Sequence, residues 1–146
     1  MEKRVIEPFN TTTMRLVKSE DLNHHGTLFA GRTAEWFVES GFIAATSILD
    51  PKNVVCLKIH GMYFSKPVHP GQIICLTSKV VYAGRTSMIA NIKVTVKNHE
   101  KPIVNGFITF VHVDENTKPS AHMVEILPDS DEDKILYETA RGLRNK

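Results

Sequence analysis

Apolar positions along this chain change period once. From Thr27 to about Leu49 they recur at helical spacing: Leu28, Ala34, Phe37, Val38, Gly41, Ile43, Ala44, Ala45 and Ile48 cover much of a helix circumference. That breadth predicts a mostly buried helix. Asp50-Pro51 ends it, because proline disfavours helical geometry in the residue before it. Almost everything after that reads as strand. Arg85–Lys97 alternates, with Thr86, Met88, Ala90, Ile92, Val94 and Val96 on one face. Ser87, Asn91, Lys93, Thr95 and Lys97 take the other face, broken only by Ile89. Asn53–Val68, Gln72–Tyr82 and Pro102–Asp114 are predicted as three more strands, with turns at His69-Pro70-Gly71, Ala83-Gly84 and Asn98–Lys101. Gly61 marks a bulge in the first of them. Residues 10–18, rich in β-formers, predict another strand ahead of the helix.

One early buried helix followed by a four-strand antiparallel run makes an α+β domain. Its long twisted antiparallel sheet would bury one face by wrapping around that helix. In the tail, Ser130 and Asp133 form a capping pair for an extra C-terminal helix over about 129–146, with Arg and Lys complementing the dipole at its far end. The 146 residues fit a single domain, and no internal repeat or low-complexity linker divides them.

Composition narrows the function classes. With 42% hydrophobic and 23% charged residues the chain can build a core. A net charge of +2, with no stripe of Lys and Arg, argues against nucleic acid and leaves an anionic small molecule as a suitable partner. Neither a signal peptide nor an apolar run of about 18 residues occurs, so no membrane span and a cytoplasmic location are expected. Cys56 and Cys75 lie in strand-like segments without CxxC spacing and read as buried free thiols.

Candidate chemistry gathers around the helix start. Residues 26–31, from Gly26 through Phe29, Ala30 and Gly31, lead into a helix N-terminus, where unpaired N–H groups and the dipole favour negative charge. A carbonyl under nucleophilic attack becomes an oxyanion, so such an end can stabilise a transition state of that kind. Ala30 and Gly31 leave room for a substrate near the backbone; Gly31 equally suits close helix–sheet packing. Asn23, by residue type alone, is a loop or capping residue. His24 and His25 are adjacent, point apart and suggest no third ligand, so no metal is assigned. Glu35 and Glu39 share one helix face, as a catalytic pair or as a solvated or dimer-facing stripe.

The ordered stretches DLNHHGTLFAG, IHGMYFSKPVHPGQII, GRTSMIANIKV and GFITFVHVDENTKP resemble the hotdog-fold acyl-CoA thioesterases, most closely the bacterial acyl-CoA hydrolases. The resemblance spans about residues 10–120 and leaves the tail outside. It implies a hotdog fold and hydrolysis of acyl-CoA to a carboxylic acid and CoA, without metal or organic cofactor. It implies a homodimer, assembling further to a hexamer or tetramer, with sites between subunits: Asn23 from one chain holding the carbonyl or the water, the acid from the other. Gly31 and Ala30 would supply the oxyanion hole. In that family an Asp falls seven residues after the second glycine of the helix start; here the position is Val38, and Glu39 is the nearest acid, one residue or about 100° away. Glu39 is therefore the expected base or nucleophile, with Glu35 the other possibility. Lys66, Arg85 and Ser87 are candidates for the CoA phosphates. Phe29, Phe37, Met62 and Phe64 are the apolar residues whose packing would set acyl-chain length.

The substitution of Val38 for the Asp keeps an alternative open, a non-catalytic acyl-CoA-binding or sensing protein. A third reading comes from dehydratases that share the fold and use a catalytic His. His69 next to Pro70-Gly71 reads instead as a turn residue.

Overall fold

The computed structural model describes residues 2–144. In chain order its elements are β1 (Arg4–Ile6), β2 (Thr11–Leu16), α1 (Ala30–Thr46), β3 (Val54–Ile59), β4 (Ile73–Ala83), β5 (Ser87–Val96), β6 (Val104–His112), β7 (Val124–Ile126) and α2 (Asp131–Leu143). Five strands form one antiparallel sheet in the order β2-β4-β5-β6-β3, and β1 and β7 make a separate parallel pair. The expected α+β architecture, a hotdog sheet around one central helix plus a C-terminal helix, is present.

Alternation in the central strands puts Ile74, Leu76, Met88, Ala90, Ile92, Val94, Ile108 and Phe110 on the face that meets α1. There they bury Phe37, Ala44 and Ala45. Gly41 sits where backbone and sheet come close: a Cβ would lie 3.1 Å from the Ile92 Cδ1. Ser40 and Ser78 are the buried polar pair of this interface, Ser78 Oγ donating to the Ser40 carbonyl at 2.8 Å. Ile89, which breaks the alternation, points to the other face and is covered by α2 together with Val81, Tyr82 and Ala140. The second face of the central strands is therefore apolar only in a patch under α2 and polar at Lys79, Asn91 and Lys93. Ser130 caps α2 by accepting from the Asp133 N–H at 3.1 Å, while the Asp133 carboxylate turns to Lys79 and Glu132 pairs with Lys93 at 2.9 Å.

Several expectations shift. The strand predicted over 53–68 stops at Ile59; Gly61, at φ +100°, follows its end, and the register irregularity falls between Cys56 and Lys58. The helix starts at Ala30, not Thr27, because Leu28 bridges Leu22 and donates its N–H to Val68 at 2.8 Å, which keeps the chain extended. Cys56 is exposed and Cys75 half-buried, not buried as expected; β3, which carries Cys56, is a sheet edge. The β1–β7 pair was not anticipated, since three-residue strands are too short to show a period.

His122 ties that pair to the main sheet. Its Nδ1 accepts from the Val124 N–H at 3.0 Å, so the proton sits on Nε2 and is donated to the Ser87 carbonyl at 2.9 Å. Burial of the ring lowers its pKa below the ordinary histidine value, outweighing the Ser87 bond; the neighbouring His112 and Lys3 lower it further. Protonation would remove the acceptor that Val124 uses. Since the folded pKa lies below the unfolded one, the unfolded chain binds the extra proton, and stability falls as pH drops below about 6.5. Thermal melts from about pH 7.5 to about pH 5 should show a loss that is smaller in His122→Gln. An identical pH dependence in the two proteins would remove His122 as its source.

Candidate functional site

The loop between β2 and α1 is built by its own polar side chains. Asn23 Oδ1 accepts from the backbone N–H of His25 at 2.8 Å and of Thr27 at 3.2 Å, and Asn23 Nδ2 donates to Thr27 Oγ1 at 3.1 Å. Gly26, at φ +78°, closes the turn by donating to the Asn23 carbonyl at 3.1 Å. Behind it the buried Asp21 accepts from the Lys18 N–H at 2.9 Å and pairs with Arg32 of α1 at 3.5 Å. Its carbonyl accepts from Phe29 N–H at 2.9 Å. The loop is thereby clamped against the start of the helix.

That start has no side-chain cap. The N–H groups of Arg32 and Thr33 bond to the Phe29 carbonyl at 3.0 and 3.2 Å, which leaves those of Ala30 and Gly31 without an intrahelical acceptor. The exposed Phe29 ring folds over Gly31; a Cβ there would be 2.5 Å from the ring. Gly31 thus has a packing reason as well as a possible chemical one.

Asn23, Ala30 and Lys66 come together in the wall of a cavity of about 260 Å³. Thr27, Thr33, Phe64, Ser65 and Ile103 also line it. Sequence reasoning missed Thr27, Thr33 and Ser65; Thr27 was signalled only by lying four residues after Asn23, and Ser65 lay hidden in a segment read as strand. Lys66 is the single charged residue of the wall. An amide nitrogen carries two hydrogens, and Thr27 takes one from Asn23, so the other remains for a ligand. Amide N–H, free helix N–H groups and a lysine suit a carbonyl that gains negative charge.

Other candidates lie elsewhere in the protomer. Glu39 is ion-paired to Arg15 of β2, whose guanidinium stacks 5.5 Å from the Trp36 ring centroid. Glu35 is exposed and has no hydrogen bond or ion pair among the described residues. Val38 is half-buried against the core. Phe37 is wholly buried and Met62 partly so, and of the four apolar residues considered for chain length only Phe64 lines the cavity. Arg85 and Ser87 sit at the opposite end of the sheet, because β4 runs its full length from one end to the other, about 30 Å of extended chain. There Arg85 lines a second cavity of about 540 Å³ with Lys3, Tyr82, Tyr137 and Arg144. Lys66 and Arg85 therefore do not meet within one protomer. His69 is an exposed turn residue whose N–H donates to Gln72 Oε1 at 2.8 Å. His24 and His25 are exposed, their rings 3.9 Å apart. Among the described residues no helix is long and apolar enough to cross a membrane.

Comparison with known proteins gives a consistent result. Residues 25–103 match the sequence model described as the thioesterase superfamily. The chain is 30% identical over 125 residues to the uncharacterized acyl-CoA thioester hydrolase YkhA of Bacillus subtilis, covering 82% of this chain and 71% of that protein. It is 32% identical over 117 residues to the acyl-CoA thioester hydrolase YciA of Escherichia coli, covering 75% of this chain and 88% of that protein. Among solved structures, an apo-hexameric acyl-CoA thioesterase superposes with a TM-score of 0.84 at 30% identity, over 93% of this chain and 88% of that one.

Proposed function

The chain belongs to the thioesterase superfamily, and from that premise we propose that it hydrolyses acyl-CoA to a free carboxylic acid and CoA. The observation that carries this reading is the convergence of the Asn23 amide and the uncapped start of α1 on one cavity whose sole charge is Lys66. Water attacks the thioester carbonyl, and the oxygen's new negative charge is met by the N–H groups of Ala30 and Gly31, with Asn23 orienting the carbonyl or the water. Collapse of the tetrahedral intermediate breaks the C–S bond and expels the CoA thiolate. A carboxylate is needed to take the water proton, and Glu39 and Glu35 are the acids that α1 offers.

A second copy of the chain fits this chemistry, because no carboxylate lines the cavity among the described residues of one protomer. Strand β3 is an unpaired edge carrying exposed Val55, Leu57 and Ile59, at 41%, 66% and 40% exposure, a surface suited to pairing with its own copy. The similar hexameric enzyme supports further assembly of such dimers. Lys66 from one subunit and Arg85 with Ser87 from its neighbour could then share one CoA. The exposed thiol of Cys56 fits a reducing cytoplasm.

Thiol release from short, medium and long acyl-CoAs tests the reading. We expect turnover on at least one chain length. No turnover on any, with CoA still raising the melting temperature, would make the protein an acyl-CoA binder instead.

A further inference from the structure

We propose that the general base is Glu35, presented across the β3 edge by a second copy of the chain; this rests on the thioesterase reading. The order of strands under α1 decides which acid faces that copy. Trp36 stands beside Arg15 of β2, Ser40 meets Ser78 of β4, and Gly41 lies over Ile92 of β5 and Ile108 of β6. Phe42 then reaches Phe110 of β6, with ring centroids 6.2 Å apart. Around the helix, therefore, one flank looks over β2 and the opposite flank over β6 and β3. At 100° per residue Glu35 lies about 20° from Phe42 and about 60° from Val38. Glu39 lies about 60° from both Trp36 and Phe42 and about 100° from Val38. From that midway position its side chain has gone to the β2 side, where Arg15 neutralises it.

Glu35 is left as the acid of α1 with no cation partner among the described residues, exposed on the outer face of the helix. It is closer by angle to Phe42 and Val38, on the β6 and β3 side, than to Trp36 on the β2 side. In a two-fold contact along that edge the same flank of each helix faces the other subunit. Charges then complement: a cavity holding Lys66 and no carboxylate meets a carboxylate with no cation. The Glu35 carboxylate takes a proton from water as the water oxygen bonds to the carbonyl carbon. When the C–S bond breaks, that proton passes to the departing sulfur, giving acid and thiol and regenerating the carboxylate.

The test is thiol release by wild type, Glu35→Gln and Glu39→Gln, with size-exclusion chromatography of each. Glu35→Gln should lose about 10²–10⁴-fold in kcat and the acidic limb of its pH profile, while keeping oligomeric state and melting temperature. Glu39→Gln should stay within about tenfold of wild type. Glu35→Gln turnover near wild type would overturn the assignment while leaving the thioesterase reading intact; no turnover by wild type would overturn both. Donation across the interface is tested by co-expressing Glu35→Gln with Asn23→Ala, each nearly inactive alone. Random pairing should restore about a quarter of wild-type activity, since half of the dimers hold one intact site. No recovery in verified mixed oligomers would place the base and Asn23 on the same chain and overturn the proposal.

Discussion

Replacing Asn23 by Ala should lower kcat about 10²–10³-fold, the cost of losing one donor aimed at a developing oxyanion or its water. The same change also removes the acceptor for two loop N–H groups, of His25 and Thr27, and so should cost about 1–2 kcal/mol of stability. A loss of activity alone would therefore be ambiguous. Asn23→Asp separates the two contributions. It keeps an oxygen for both loop N–H groups but puts an acceptor where Nδ2 donates, so loop and melting temperature should survive and turnover should not. If Asn23→Asp turned over at the wild-type rate, Asn23 would be a loop-forming residue only. Circular dichroism melts beside kcat and KM distinguish these results.

Phe37→Ala should give the largest stability effect, about 3–5 kcal/mol, because a fully buried aromatic leaves a cavity that its neighbours only partly refill. That is a substantial share of the roughly 5–15 kcal/mol typical of a domain. The ring does more than fill space. A Cβ on Gly106 would lie 3.1 Å from Phe37 Cζ and 3.0 Å from the Gly61 carbonyl, so helix, β6 and the segment after β3 meet at this point. That segment continues into Phe64, Ser65 and Lys66 of the cavity wall. Denaturant unfolding should show a lower midpoint with an unchanged slope, and weaker substrate affinity should accompany it. A shift under about 1 kcal/mol would mean that the core closes over the gap.

Much of this was legible beforehand. Spacing marked the core face of α1 at Phe37, Gly41, Ala44 and Ala45 but overstated its burial, since Ala34, Val38 and Ile43 are only half-buried. The alternation of Met88, Ala90, Ile92 and Val94 marked one core face of β5. The turns at Gly71, Gly84 and Asn98 separated the strands correctly; Gly71 and Asn98 have φ of +88° and +73°, as such turns require. Ser130 was identifiable as a cap because capping is local. The overlong reading of β3 had a physical cause. Residues 60–68 keep the composition of a strand, but after Gly61 the chain leaves the ladder, with Ser65 N–H reaching the Ile103 carbonyl only at 3.4 Å. Composition reports what a segment would tolerate, and the neighbour to pair with comes from elsewhere.

The site divides in the same way. By itself the sequence determined that Asn23, the glycine-flanked helix start and two acids lie within one short stretch, since helix and turn geometry follow from covalent spacing. Only the tertiary structure decided that Lys66 joins Asn23 while Arg85 stands at the far end of the sheet. It alone also decided that Glu39 answers to Arg15 and Glu35 to no group among the described residues. The reason is strand order: which flank of a helix looks over which edge depends on pairings between residues far apart in the chain, and no local period records them.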